Sequence, residues 1–142
     1  MTVGTILATK GHEVITTHAD ARVADVVRLL AERRIGAVPV LDGGKVLGIL
    51  SERDILYRLA GDGAAMLDGR AEQVMTSPAI TVSSDLGMLV ALSLMTRRRI
   101  RHLPVVDGGM LVGIVSIGDL VKARIDRVEA EAEAMRDYIR QA

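Results

Sequence analysis

The period of apolar and polar positions changes several times along this chain, in an order that occurs twice. In the first half, residues 14–17 are rich in β-prone side chains, and residues 23–30 carry apolar side chains at helical spacing. Two short apolar runs follow at 37–41 and 46–50, and the Asp-Gly-Gly at 42–44 supplies the positive-φ residues that a tight hairpin needs. The pattern therefore predicts a strand, a helix and a two-stranded hairpin, in that order.

Short polar residues indicate where the predicted helices begin. Asp20 in the first half, and Ser84 with Asp85 in the second, are the predicted N-caps, because such side chains accept hydrogen bonds from free helical N–H groups. The Ser-x-x-Asp sequence at Ser51 predicts a capping box at the start of the helix after the hairpin. The helix predicted over 86–95 is apolar on most sides, which favours burial between the two halves or against a second subunit.

The second half of the chain repeats the first at an offset of 65 residues. A unit of about 60 residues buries too little surface to be robust alone, so we expect the two copies to pack on one another about a pseudo-twofold axis. The identical pairs include Ile15/Ile80, Thr16/Thr81, Pro39/Pro104, Val40/Val105, Asp42/Asp107, Gly43/Gly108, Gly44/Gly109, Gly48/Gly113, Ile49/Ile114, Ser51/Ser116 and Asp54/Asp119.

The predicted fold is of the α/β (α+β) class, with two tandem β-α-β-β-α repeats in one disc and two related clefts. The predicted boundaries are 1–62 for repeat 1, 63–70 for a linker, 71–123 for repeat 2 and 124–142 for a C-terminal helical extension. The linker is indicated by the polar, glycine-rich composition of this part of the chain.

The C-terminal segment 119–142 contains neither glycine nor proline and carries a heptad seam. An isolated helix of this length is marginal in water, so we expect the seam to pack on another subunit or to fold back onto the disc, and we predict a homodimer. The seam residues are Val121, Ile125, Val128, Ala132, Met135 and Ile139.

Composition excludes several kinds of chemistry. The 142-residue chain has no cysteine, which removes disulfides, thiolate nucleophiles and zinc-thiolate sites. His12, His18 and His102 do not have the spacing of metal ligands. No Gly-x-Ser-x-Gly, P-loop or His-Glu-x-x-His motif occurs, so we expect no catalytic residue and no metal, and we predict that the protein is not an enzyme.

Charge and hydropathy bear on the partners. The 18 basic and 18 acidic residues give a net charge of zero, and Tyr57 and Tyr138 are the aromatic residues, which argues against nucleic-acid binding. The longest apolar-rich segment, 86–95, is much shorter than the ~20 residues that a bilayer span needs. With no charged leader before an apolar stretch, we expect a cytoplasmic protein without a membrane partner.

The doubled signature P-V-h-D-G-G-x-h-h-G-I-h-S-x-x-D, where h is aliphatic, resembles a tandem pair of CBS domains, or Bateman module. The resemblance covers about residues 3–121. It implies adenosine-containing ligands such as AMP, ADP, ATP, NAD or S-adenosylmethionine, bound in clefts between the repeats. It also implies pairing of the modules into flat dimers.

The chemistry of the signature can be compared with that implication. A carboxylate in the first turn of a helix is kept ionised by the helix dipole and can accept two hydrogen bonds from a vicinal ribose diol. Its charge repels phosphate, so the phosphates should point toward cations elsewhere. Asp54 and Asp119 are the predicted ribose ligands, while Arg101, His102 and Arg53 are the predicted phosphate ligands.

The remaining arginines have a simpler interpretation. The basic residues at 33–34 and 97–99 fit solvated helix C-termini, where cations complement the dipole. The two clefts are not expected to be equivalent, because Gly36 and Ala37 stand in repeat 1 where repeat 2 has a basic pair.

The leading hypothesis is a sensor that binds AMP, ATP or NAD, with no catalytic cofactor, and signals to an unidentified regulated protein. The alternative is a structural or dimerisation module in which the signature residues serve as caps and turns and no nucleotide is physiological. The ligand-binding residues that the resemblance implies are Ile15, Thr16, Gly36, Ala37, Val38, Pro39, Ser51, Arg53, Asp54, Ile80, Thr81, Arg101, His102, Leu103, Pro104, Ser116 and Asp119.

Overall fold

Each repeat is built around one antiparallel hairpin with helices beside it. The computed structural model describes residues 1–142. Its elements, in chain order, are α1 (Val3–Lys10), β1 (Thr17–His18), α2 (Val23–Arg33), β2 (Ala37–Asp42), β3 (Lys45–Ser51), α3 (Glu52–Asp62), a 3-10 helix (Ala64–Asp68), α4 (Ala71–Val74), α5 (Met88–Arg98), β4 (His102–Asp107), β5 (Met110–Ser116) and α6 (Ile117–Gln141). The mixed α/β fold with two repeats and a long C-terminal helix is thus confirmed.

The two predicted hairpins are present in the same register. Gly43 and Gly44 have φ values of +55° and +81°, and their counterparts Gly108 and Gly109 have +57° and +80°. These are left-handed conformations that glycine adopts without strain, and they match the right-handed twist of the flanking strands. The turn residues therefore fix the pairing of β2 with β3 and of β4 with β5.

The strand before each first helix is shorter than predicted. β1 has two residues, and its counterpart in repeat 2 is a single bridge at Val82, whose N–H donates to Pro104 O at 3.1 Å and whose carbonyl accepts from Val106 N at 2.8 Å. Extending this parallel ladder back to Ile80 would require an N–H on Pro104, which proline lacks. Pro39 imposes the same limit in repeat 1, so the chain before β1 lies outside the sheet.

The predicted N-caps of α2 and α5 are wrong. These helices begin at Val23 and Met88 without a side-chain cap, and the N–H groups of these two residues donate to carbonyls of distant backbone at 2.9 and 3.0 Å. Asp20, Ser84 and Asp85 form hydrogen bonds with other side chains instead. Because backbone from elsewhere in the fold supplies the acceptors, the two helices begin later than the polar residues suggest.

Each repeat contributes a short helix to the other repeat. α1 is held beside repeat 2 by hydrogen bonds from Val3 N to Leu86 O at 2.8 Å and from Gly4 N to Ser84 O at 2.7 Å. α4 is held beside repeat 1 by the bond from Ala71 N to Ala21 O at 2.8 Å. Neither exchange is visible in the periodicity of the sequence.

The exchanged helices complete the two hydrophobic cores. The core of repeat 2 includes Val3, Ile6 and Leu7 of α1, and the core of repeat 1 includes Ala71 of α4. Fully buried apolar side chains are worth about 1.5–3 kcal/mol each, so α1 is held mainly by this burial. The other buried members are Val82, Met88, Ala91, Met95, Leu103, Val105, Val115 and Leu120 in repeat 2, and Val26, Leu30, Val38, Val40 and Leu50 in repeat 1.

The two helices predicted to have large apolar faces are only partly covered. α5 buries Met88, Ala91 and Met95 but leaves Leu89 and Val90 exposed. α6 is one continuous helix whose seam lies open along the single chain and is not covered by the disc. Folding of the seam back onto the disc is therefore not seen in this chain.

No helix of the structure combines the length and the apolar composition that crossing a bilayer requires.

Replacement of Gly48 by alanine is expected to destabilise the protein by about 1–3 kcal/mol, the usual effect of overpacking. A Cβ at Gly48 would lie 2.5 Å from Thr76 O, and Thr76 is held in place by two backbone hydrogen bonds to Ile49, at 2.9 and 3.0 Å. Urea unfolding of the Gly48→Ala variant measures the change in the free energy of unfolding.

Gly61→Ala is the matched control. Gly61 lies in α3, where an added Cβ would meet no other atom within 4 Å, so alanine there should stabilise the helix by roughly 0.5–1 kcal/mol. Equal unfolding midpoints for wild type and Gly48→Ala would contradict the close packing of Thr76 on β3.

Candidate functional site

The helices that follow the two hairpins begin with complete capping boxes. Ser51 Oγ accepts from Asp54 N at 3.2 Å, and Asp54 Oδ2 accepts from Ser51 N at 2.9 Å. Ser116 and Asp119 repeat this arrangement at 3.1 and 2.8 Å. The prediction of a capping box at each Ser-x-x-Asp is confirmed, and it places both aspartates at the positive end of a helix dipole.

Backbone hydrogen bonds hold the start of each of these helices beside the residue that precedes β2 or β4. Glu52 N donates to Gly36 O at 2.9 Å in repeat 1, and Ile117 N donates to Arg101 O at 2.8 Å in repeat 2. The side chains at the helix start and at the strand start therefore face the same space.

In repeat 1 this space is a cleft of about 340 Å³, which lies within the range of small-molecule sites. We call it the Asp54 cleft. Both repeats contribute to its walls, as predicted for a site between them. Its lining residues are Gly36, Ala37, Ile49, Ser51, Glu52, Arg53, Asp54, Thr76, Ile80, Arg98, Arg99, Ile100, Arg101 and His102.

Eight of the residues that the sequence implicates in ligand binding line this cleft, and the others do not. Val38 and Leu103 are fully buried in the two cores, and Pro39 and Pro104 are buried in the hairpins beside them. The remaining ones, which lie outside the lining of the Asp54 cleft, are Ile15, Thr16, Thr81, Ser116 and Asp119. The roles of all these residues toward a ligand stay predictions.

Sequence reasoning missed part of the lining. The end of α5 is exposed, as its basic residues predict, but Arg98 and Arg99 also line the cleft. Arg99 has a φ of +54° and turns the chain back, and its carbonyl accepts from Arg53 Nη1 at 3.0 Å. No local pattern signals this, because the contact joins the two repeats. Thr76 and Ile100 also come from the second repeat and were missed for the same reason, whereas Ile49 and Glu52 lie in the repeat that carries Asp54 and have no local signal beyond their places in β3 and α3.

The carboxylate of Asp54 is held by neutral donors. One oxygen accepts from the backbone and hydroxyl of Ser51, both at 2.9 Å, and the other accepts from Thr76 Oγ1 at 2.9 Å. Around it, the cleft contains four arginines and one further carboxylate, that of Glu52. The cleft thus has an excess of positive charge with one acceptor fixed at a helix start.

His102 is partly buried where the two repeats meet, beside Gly36. Burial lowers its pKa below the ordinary value of 6.5, and Lys10 and Arg101 act in the same direction, whereas Glu52 and Asp119 oppose the shift. The shift favours the neutral imidazole at pH 7 when no ligand is bound, and a role of His102 toward phosphate stays a prediction.

Asp119 has a different partner from Asp54. Lys10 Nζ, at the end of α1, donates to Asp119 Oδ2 at 2.6 Å and to Ile114 O at 2.7 Å. Burial raises the pKa of Asp119, but the hydrogen bonds from Lys10 and Ser116 outweigh it and hold the pKa below 3.8. The two aspartates therefore differ in their partners, and a ribose contact at Asp119 stays a prediction.

Comparison with known proteins agrees with this architecture. The family model of the CBS domain matches residues 3–61 and again residues 71–126. The mitochondrial CBS domain-containing protein CBSX3 of Arabidopsis thaliana is 31% identical over 147 residues, which covers 97% of this chain and 71% of the relative.

Solved structures show the same likeness. The CBS-domain containing protein ATU1752 from Agrobacterium tumefaciens superposes with a TM-score of 0.84 at 39% identity, covering 87% of this chain and 99% of the other. The CBS domain pair of protein MJ0100, solved in complex with 5′-methylthioadenosine and S-adenosyl-L-methionine, has a TM-score of 0.79 at 27% identity and covers 89% of this chain and 98% of the other. With two matched segments and two interlocked repeats, this chain belongs to the CBS-domain family as a tandem CBS pair.

Proposed function

We propose that this protein is a regulatory module that binds a phosphorylated adenosine compound, AMP, ADP, ATP or NAD, in the Asp54 cleft and passes the effect to a partner protein. The observation that carries the proposal is the coincidence, in one cleft between the repeats, of a capped helix-start carboxylate and four arginines. The structure of the MJ0100 pair with two adenosine compounds supports an adenosine ligand for the family fold.

The ribose part of the ligand is assigned to Asp54. Ser51 and its backbone hold one carboxylate oxygen, while the other is bonded by the hydroxyl of Thr76, which is exposed and can rotate. A vicinal diol can replace this single neutral donor without leaving a buried charge unpaired. A ribose diol can therefore bind the carboxylate of Asp54 with the loss of only one neutral hydrogen bond, that from Thr76.

The phosphate part is assigned to the arginines. Planar guanidinium groups bind phosphate oxygens in pairs, and Arg53, Arg98, Arg99 and Arg101 all line the cleft. S-adenosylmethionine carries a sulfonium cation, which this excess of positive charge repels. The proposed ligand is therefore anionic, unlike the two compounds named for the MJ0100 pair.

Signalling follows from the position of the cleft. Because its walls come from both repeats, a bound ligand would tie α3 of repeat 1 to the end of α5 in repeat 2. A ligand that favours one relative arrangement of the repeats can shift a partner equilibrium by a coupling of about 1–3 kcal/mol. The regulated protein is expected to read this arrangement, without catalysis by the CBS pair itself.

We also propose that two copies associate through α6. Leu120 is the buried residue of this helix, while Ile125 and Met135 in the seam are 51% and 59% exposed. A regular heptad seam of this exposure is typical of a helix that pairs with a second helix. This surface is also the observation that favours the second candidate function, a dimerisation module without a ligand.

Two substitutions separate the ribose and phosphate assignments. Asp54→Asn should weaken adenosine and ATP alike by about 1.5–3 kcal/mol, since a charged acceptor is lost. Arg101→Ala should weaken ATP strongly and leave adenosine nearly unchanged. Isothermal titration calorimetry with adenosine, AMP, ATP and S-adenosylmethionine measures each affinity.

Asp126→Asn, on the exposed part of α6, is the control and should bind like wild type. Tighter binding of S-adenosylmethionine than of ATP would contradict the charge argument. Binding of none of the four compounds would favour the dimerisation module instead.

His102 is expected to titrate below 6.5 in the folded protein, which NMR of its ring protons can measure. At pH values between the pKa of His102 in the folded protein and 6.5, the unfolded chain binds more protons than the folded protein. The contribution of His102 to the free energy of unfolding is therefore complete above pH 6.5 and decreases as the pH falls through this range. Urea unfolding at about pH 7.5 and about pH 5.5 should show a smaller acid loss for His102→Gln than for wild type. An equal loss in both proteins would contradict this assignment.

Ile125→Glu should weaken self-association, because it places a charge in the α6 seam. Light scattering after size exclusion should show a lower mass for this variant than for wild type at equal concentration. Ala130→Glu introduces the same side chain outside the seam and should leave the mass unchanged. A monomeric wild type, or equal masses for the two variants, would contradict pairing through α6.

A further inference from the structure

The two helix-start aspartates are related by the repeat but differ in their partners. Asp54 is bonded by neutral donors only, whereas Asp119 forms an ion pair with Lys10 at 2.6 Å. The side chains of Lys10 and Asp119 are 34% and 25% exposed, so the pair is partly shielded from water. We call the group of Ser116, Asp119 and the Ile114 carbonyl the Asp119 site.

The ammonium reaches this site because α1 packs on repeat 2. Leu7 lies against Gly113, where a Cβ would approach its side chain to 2.7 Å, so glycine at this position lets α1 come close to β5. Lys10 is the last residue of α1, and Gly11, with φ of +111°, ends the helix there. The exchange of α1 between the repeats thus carries a cation directly to Asp119.

The corresponding position in repeat 1 carries no cation. Met75 is the counterpart of Lys10 at the 65-residue offset, and its side chain packs over Gly48 instead of reaching Asp54. The carbonyl of Ile49 accepts from the backbone of Thr76 at 2.9 Å, whereas that of Ile114 accepts from Lys10 Nζ at 2.7 Å. The cation that bonds Asp119 therefore corresponds to an uncharged methionine in the related segment beside Asp54.

A ribose diol can bind Asp119 only if it displaces the Lys10 ammonium. The ammonium is a charged donor and makes two hydrogen bonds in this position, while a diol offers two neutral ones. A nucleotide at this site would also lack an equivalent of Arg101, because Gly36 occupies that position. Both differences disfavour a ligand at the Asp119 site.

We propose that Lys10 is a built-in occupant of the Asp119 site and determines which of the two related sites takes a nucleotide. Wild-type protein then binds one nucleotide per chain, in the Asp54 cleft. This inference rests on the proposed function, since it concerns the second copy of the same kind of site.

The test is Lys10→Met, which gives position 10 the residue found at its counterpart, position 75. Calorimetry with adenosine, which needs no phosphate contact, should show one site per chain in wild type and two in Lys10→Met, with affinity at the second site raised about tenfold or more by loss of a charged competitor. In Lys10→Met/Asp119→Asn the second site should disappear again. Lys45→Met, which removes an exposed hairpin lysine, is the control and should keep one site.

Each outcome decides the point. One site in both wild type and Lys10→Met, or two equal sites in wild type, would overturn this inference and leave the proposed function standing. No adenosine binding to any of the proteins would overturn both. If the methionine variant unfolds, Lys10→Gln, which keeps a polar side chain on the helix, takes its place with the same expected results.

Discussion

The structure depends on the exchange of two short helices between the repeats. Backbone bonds from Val3 to Leu86 and from Ala71 to Ala21 join each short helix to the other repeat, and α1 adds three side chains to the core of repeat 2. Neither repeat closes its own core without this contribution. The packing of each core therefore depends on both repeats, which fixes their relative position in this structure.

That constraint also creates the site. The capping boxes set the position of each aspartate within its own repeat, but the walls of the Asp54 cleft come from both repeats. The arginines at the end of α5 line the same cleft as Asp54 because the two repeats pack side by side. A ligand in such a cleft contacts the two halves at once, which is the physical basis for coupling binding to a change in their arrangement.

Duplication produced two similar scaffolds whose details diverged. The hairpins, prolines and capping boxes are the same in both repeats, since they determine the course of the backbone. The groups that approach the aspartates come from the exchanged segments and differ in charge: Thr76 on one side and Lys10 on the other. Inequivalence of the two sites therefore arises from the elements that cross between repeats, while the repeated signature itself is nearly symmetric.

Much of the architecture could be predicted from local chemistry. The turn glycines at 43–44 adopt a left-handed backbone conformation that most residues resist. Ser51 and Asp54 accept from each other's backbone N–H groups at the start of α3. Hairpins and helix starts are therefore encoded by residues close together in the sequence. The caps proposed at Asp20 and Ser84 failed because acceptors from distant backbone took that role. The shortness of the first strand in each repeat was missed because it is caused by a proline on the neighbouring strand, which has no N–H to extend the ladder.

The sequence by itself determined the duplication, the order of the elements, the hairpin register and the aspartates at two helix starts, since each depends on residues close together along the chain. Only the tertiary structure decided which helix completes which core, which arginines line the cleft, that burial lowers the pKa of His102, and that Lys10 pairs with Asp119. These features require contacts between residues as far apart as positions 10 and 119, and no periodicity within either repeat records them.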